Sequence, residues 1–226
     1  MLVRIPEVLG AADLTAVNTR LANAAWIDGR ATAGYQSARA KHNLQIPQGD
    51  APGREAADLV VRALERNALF VSATLPRHVF PPLFNRYETG MAFDAHVDNA
   101  IRQIPDTHHR VRTDISATLF LNPPSSYDGG ELIVEDIFGP HSVKLAAGDM
   151  VVYSASSVHR VQQVTRGVRI AAFFWIQSMV RDDQARAILF ELDTAVRQLT
   201  AKEADQDSVV RLTACYHNLL RRWAEL

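Results

Sequence analysis

At residues 93–100 the chain reads FDAHVDNA, which sets an imidazole, His96, two positions before a carboxylate, Asp98. In a strand, side chains at i and i+2 share a face, so the two are expected to project together while Val97 points into the opposite layer. A neutral imidazole beside a carboxylate makes two thirds of the facial triad that holds non-haem Fe(II) and leaves coordination positions open. The missing donor would be a second histidine, brought in by the fold from another strand. His-x-Asp alone is common, and a hydrogen-bonded strand pair near a surface accounts for it equally well.

His108, His109, His141 and His159 lie further along the chain. His159 is set apart by the run it opens, HRVQQVTRGVRIAAFFWI, with Arg169 ten residues on in the most apolar part of the sequence. Alternation puts Arg169 on one face with Ala171, Phe173 and Trp175. A guanidinium in an apolar wall is costly unless a negative group pairs with it. That strand contains no acid, so an external carboxylate, held through two parallel N–H···O bonds, is the natural partner. His141 has Val151 at the same offset.

Periodicity gives the elements that would position these groups. Leu14, Val17 and Leu21 recur at helical spacing from Asp13, the expected N-cap, to Trp26. A Gly-, Pro- and Asn-containing stretch runs on to residue 53, and a second helix over about 54–67 carries Leu59, Val60, Ala63 and Leu64. From residue 78 short β-branched and aromatic runs alternate with turn signals at Pro123-Pro124, Asp128-Gly129-Gly130, Gly139-Pro140, Gly148-Asp149 and Gly167. Strands at this spacing predict an antiparallel sandwich or jelly roll. Beyond residue 180, Ala185, Ile188, Leu189, Leu192, Val196 and Leu199 form one helical stripe. Leu212, Cys215, Leu219, Trp223 and Leu226 form another, with AKEADQDS between them. The expected plan is mainly β with flanking helices: a support region over 1–77, a core over 78–178 and a helical pair over 179–226.

His96-x-Asp98, His159 and Arg169, in this order, resemble the signature of the Fe(II)/2-oxoglutarate-dependent dioxygenases. YETGMAFDAHVD, the GGEL turn, AAGDMVVY and VHRVQQVTRGVRIAAFFWIQS are similar to the prolyl-hydroxylase-type branch, and the whole length to the bacterial PKHD-type (prolyl/lysyl hydroxylase-like) hydroxylases. The resemblance implies a double-stranded β-helix core in which His96, Asp98 and His159 bind iron. It implies that Arg169 binds the distal carboxylate of 2-oxoglutarate, with Tyr87 a second donor to it or a tyrosine packed at a strand rim. It further implies L-ascorbate as reductant. The retained Asp98 favours hydroxylation over halogenation. The implied reaction decarboxylates 2-oxoglutarate to succinate and CO2 and hydroxylates an unidentified prolyl or lysyl peptide, amino acid or small metabolite.

Two rivals use the same three donors: a non-catalytic iron-binding or iron-sensing jelly roll, and a zinc hydrolase. Neither employs Arg169. Within 99–113, Arg102, Arg110 and Arg112 with His108 and His109 could steer an anionic substrate, or simply be a solvated loop. Asn85 and Arg86 are candidates for the substrate opening. Cys215, Trp26, Trp175 and Trp223 are expected in packing roles, and Arg221 and Arg222 on a solvated helix edge.

Bulk properties bound the partners. Lys and Arg total 24 against 25 Asp and Glu, for a formal charge of −1, which predicts no nucleic-acid or membrane partner. One cysteine, no signal-like amino terminus and no membrane-length apolar run point to a cytoplasmic protein. The C-terminal stripes suit either their own core or a homo-oligomer.

Overall fold

The strand Val164–Ser178 is the spine of the molecule in this computed structural model, which describes residues 1–32, 40–104, 107–203 and 205–226. Its alternation serves two layers. Ala172, Phe174 and Ile176 enter the main apolar core, whereas Arg169, Phe173 and Trp175 line a cavity. Ile115–Phe120 pairs along one edge and Leu83–Glu88 along the other.

That spine belongs to a nine-stranded sheet ordered Leu2–Ile5, Met150–Ser154, Ile115–Phe120, Val164–Ser178, Leu83–Glu88, Leu44–Gln45 and Ile27–Asp28. Tyr127–Gly129 and Pro76–Val79 also pair with the spine. A second sheet runs Gly139–Val143, Leu132–Asp136, His159–Val161, Ala92–His96 and Lys41–His42. Pairing among the described residues is antiparallel throughout. The two sheets form the expected jelly roll, and residues 41–45 join them: Lys41 pairs with Phe93 in one sheet, and Gln45 with Asn85 in the other.

Helices cover the outer face of the larger sheet. Ala11–Ala22 starts two residues before the expected cap: Gly10 precedes it without a side-chain bond, and Asp13 sits in the first turn. It stops before Trp26, whose indole donates to Leu21 O at 3.3 Å. Ala51–Arg66 begins earlier than the expected 54 because Asp50 caps it through Gly53 N, which leaves Pro52 in a turn that needs no N–H. A further helix, Ala68–Thr74, has no counterpart in the sequence reading; Asn67 ends one helix and caps the next by accepting from Phe70 N.

The C-terminal helices Asp183–Ala201 and Gln206–Trp223 are capped by Asp182 and Asp205. Leu75, Val180, Ala185 and Leu189 pack there with Tyr216, Leu219, Leu220 and Trp223. Three stripe assignments are corrected, the first two being Ile188, 52 % exposed, and Cys215, exposed rather than buried. Leu226 lies past the helix end, 89 % exposed. No helix among the described residues is long and apolar enough to cross a membrane.

Candidate metal centre

His96 and His159 face each other as register partners on adjacent antiparallel strands, with ring centroids 4.2 Å apart. Asp98 completes the group: one donor atom from each of the three residues lies within 4.8 Å of the others. The strand carrying His96 ends at that residue, so Asp98 reaches the cluster from irregular backbone just beyond it. Val97 accordingly does not enter the opposite layer; it is 47 % exposed.

Both imidazoles are oriented by the same local bond. His96 Nδ1 lies 2.8 Å from Asp94 O, and His159 Nδ1 lies 3.0 Å from Ser157 O, each carbonyl two residues upstream. A carbonyl only accepts, so each Nδ1 carries a proton and each Nε2 is the nitrogen turned toward the cluster, free to serve a cation. Burial, then the neighbouring His159, lowers the pKa of His96 to about 4, which holds its ring neutral. Asp98 Oδ2 accepts from Ser116 Oγ at 2.6 Å and lies 3.7 Å from His159 Nε2. Phe93 stacks on His96 at 3.6 Å, and Tyr153 meets His159 edge-on at 5.2 Å. Burial pushes the Tyr153 phenol well above its ordinary range, so it stands there as a neutral hydroxyl. Two imidazoles and one carboxylate suit Fe(II).

A second group lies deeper in the same cavity of about 140 Å³. Arg169 is 1 % exposed, and its guanidinium stands 5.4 Å over Tyr87 and 5.3 Å over Phe120. Its one side-chain hydrogen bond among the described residues, to Asn85 Oδ1, is long at 3.4 Å. Among the described residues Arg169 Nε and the buried hydroxyls of Tyr87 and Tyr127 have no hydrogen-bond partner of normal geometry, although Asn43 lies near the Tyr87 hydroxyl and Arg169 near that of Tyr127. Burial raises both phenol pKa values, so the hydroxyls are protonated donors. Gly130 keeps the cradle open: a Cβ there would lie 3.1 Å from both Arg169 Cδ and Tyr127 Cε2. An unpaired buried cation flanked by two orphaned O–H donors fits a carboxylate, and nothing protein-borne among the described residues supplies one.

The other histidines stay away. His141 pairs with Asp136 at 2.8 Å on the surface, and His108 and His109 are exposed. The expected loop over 99–113 contains a hairpin, Ile101–Gln103 with Arg110–Arg112, and its residues 105–106 lie outside the described set. Of its arginines only Arg102 lines the cavity; Arg112 is taken by Asp114 and Glu225, and Arg110 by Gln103. Asn85 faces inward as alternation requires, whereas Arg86 turns to the other face and pairs with Glu88. Trp175 packs as expected in a small buried cluster with Phe80, Val111 and Ala155, and also lines the cavity.

Sequence reasoning misses Lys41, Asn43 and Gln45, which are 7 %, 2 % and 2 % exposed and all line the cavity. Their signal is a polar alternation, K-x-N-x-Q, within a stretch that otherwise reads as loop. Ser116 and Tyr127 are also missed; nothing in their local sequence distinguishes them from ordinary strand residues.

Fold and cavity define a jelly-roll oxygenase, and comparison with known proteins agrees. Residues 82–177 match the 2OG-Fe(II) oxygenase superfamily, and residues 183–225 match the PKHD-type hydroxylase C-terminal domain. PKHD-type hydroxylases from Methylobacterium nodulans and Pseudomonas putida are 56 % and 54 % identical, each covering 100 % of both chains. A Pseudomonas putida prolyl-4-hydroxylase shares the fold with a TM-score of 0.57 at 22 % identity, over 78 % of this chain and 92 % of that one. A Trichoplax adhaerens prolyl hydroxylase, solved with a hypoxia-inducible-factor peptide, gives 0.59 at 15 % identity over 83 % and 86 %.

The chain belongs to the PKHD-type hydroxylases of the 2OG-Fe(II) oxygenase superfamily. It is an Fe(II)- and 2-oxoglutarate-dependent hydroxylase.

Proposed function

We propose that His96, Asp98 and His159 hold the Fe(II) and that Arg169, with Tyr87 and Tyr127, holds the distal carboxylate of 2-oxoglutarate. The observation that carries this reading is Arg169: it is 1 % exposed, has no acid partner among the described residues, and shares one cavity with the three donors. When bound, iron and 2-oxoglutarate supply the oxidising power that turns a substrate C–H into C–OH as the cosubstrate becomes succinate and CO2.

The chain's own residues do the positioning. Asp94 O and Ser157 O hold the imidazole protons at Nδ1, and Ser116 aims the Asp98 carboxylate. Arg169 and the two tyrosines fix the cosubstrate by its far end. Phe93, Phe173 and Trp175 exclude water from the reacting side.

In the finer reading, ascorbate keeps the metal ferrous and the protein works in the cytoplasm. Residues 1–77, 78–178 and 179–226 act as support, core and C-terminal subdomain. The C-terminal helices form a homo-oligomer contact, to which exposed Ile188 and Val210 contribute. The test is succinate release under air with Fe(II), 2-oxoglutarate and ascorbate. Turnover by the wild type and none by His159→Ala is expected; hydrolase activity with zinc alone, indifferent to 2-oxoglutarate, would overturn the assignment.

A further inference from the structure

The outer part of the cavity carries a second concentration of positive charge, with no place in the chemistry above. Lys41 is 7 % exposed, with its amine 5.5 Å from the Phe93 ring and 5.9 Å from the Phe173 ring. The Arg102 guanidinium stands 3.9 Å over Trp175 and 5.4 Å over Phe80. Phe173 and Trp175 are successive inward positions of the spine and meet edge to face at 5.7 Å. The two cations therefore occupy neighbouring steps of one aromatic wall. Those steps lie about 13 Å and about 20 Å along the strand from Arg169, at roughly 3.3 Å per residue.

Among the described residues neither side chain forms an ion pair or hydrogen bond; their close contacts are aromatic faces. They also oppose each other: burial, then the charge of Arg102, lowers the pKa of Lys41 to about 8. Asp98 is the acid that both feel, but it already accepts from Ser116 and belongs to the proposed metal set. Two like charges in a largely enclosed space, whose acidic neighbours Asp98 and Asp28 are already engaged by Ser116 and Arg30, cost stability, and an incoming anion lowers that cost. A guanidinium held 3.9 Å over an indole centroid has N–H groups left to offer a planar, two-oxygen acceptor. In a cavity of about 140 Å³ that must also admit the cosubstrate, a carboxylate is the anion of suitable size.

We propose that Lys41 and Arg102 form a carboxylate subsite for the substrate, so that the hydroxylated molecule carries a free acid beside an apolar body lying on Phe93, Phe173 and Trp175. This rests on the reaction assigned above and names its substrate class. The acid is either the α-carboxylate of an amino acid or an acidic side chain within a peptide; both present the same group to the pair.

The test is calorimetric binding to the anaerobic Fe(II) holoenzyme saturated with 2-oxoglutarate, which fills the Arg169 site. One arm compares the free L-amino acids with their C-terminal amides. The other compares acetyl-Gly-Asp-Gly-amide with its Asn counterpart. In at least one arm the acid should bind about tenfold or more tightly than its neutral partner, since hydrogen bonds to charged groups exceed neutral ones. Lys41→Met and Arg102→Gln should each erase that preference while leaving 2-oxoglutarate affinity unchanged. The proposal falls if no acid binds, if the amides bind as well, or if both variants keep the preference. Succinate release without added substrate, measured on the same preparation, separates the outcomes: if it persists while the preference is absent, only the subsite fails.

Discussion

The inner and outer ends of the cavity are built from different material. The inner end is cut into regular strands: Arg169 on the spine, Tyr87 and Asn85 on the strand beside it, and Tyr127 across a glycine turn. Its cation is fully buried and flanked by protonated phenols. The outer end is assembled from a two-residue strand and a short hairpin, and its cations rest on aromatic faces. Sites on regular elements are held more precisely than sites on short connections. The inner end thus suits the proposed clamp on 2-oxoglutarate, and the outer end the proposed substrate subsite.

Perturbing each end should separate these roles. The metal set between them carries the largest effect: Asp98→Ala should reduce succinate release to background, and wild-type turnover in that variant would remove Asp98 from the centre. At the inner end, Arg169→Ala should raise the 2-oxoglutarate concentration needed for half-maximal turnover about 100-fold, as expected for two lost charge-assisted hydrogen bonds. Iron binding should be spared, and loss of iron with unaltered cosubstrate dependence would contradict the role. Tyr127→Phe, which removes one orphaned donor, should raise the same requirement by about threefold to tenfold. An unchanged value would leave Arg169 and Tyr87 as the whole clamp.

The outer end should show the opposite sign in stability. Lys41→Met deletes a buried charge opposed by Arg102, so the melting temperature should rise by about 2–4 °C for roughly 1 kcal/mol in a chain of this size. A lower value would mean that Lys41 stabilises the fold.

A pH effect belongs to the metal centre. His96 titrates at about 4 in the folded chain against an ordinary 6.5. Below 6.5 the unfolded chain takes up a proton that the folded chain refuses. The contribution of His96 to the stability of the metal-free protein is therefore complete above that value and is lost as pH falls towards 4. Chemical unfolding of metal-free protein across that window should show the decline, and His96→Gln should flatten it.

Legibility in the sequence divides along the same line. Arg169 stands out because it breaks an apolar strand with a group that burial disfavours, and His96, Asp98 and His159 by their spacing and their order before it. Tyr87 comes from the family resemblance, and Asn85 from alternation with it. The antiparallel core and the terminal helix pair are equally readable from period. Lys41 is not, because a two-residue strand carries too little periodicity to be seen, and its neighbours read as turn formers. Trp175 reads as packing and does pack, but its second role as cavity wall is invisible because an aromatic on a strand looks the same whether it faces a core or a cavity. Ile188 and Cys215 mislead because a helical stripe does not specify how wide a face its partner covers.

The most direct measurement is the visible absorption of the anaerobic Fe(II) protein on addition of 2-oxoglutarate. A metal-to-ligand charge-transfer band should grow with the cosubstrate in the wild type. It should need much more 2-oxoglutarate in Arg169→Ala and be missing in His159→Ala. Iron bound with no such band in the wild type, or a band indifferent to both substitutions, would contradict a single hollow in which these side chains gather metal and cosubstrate together.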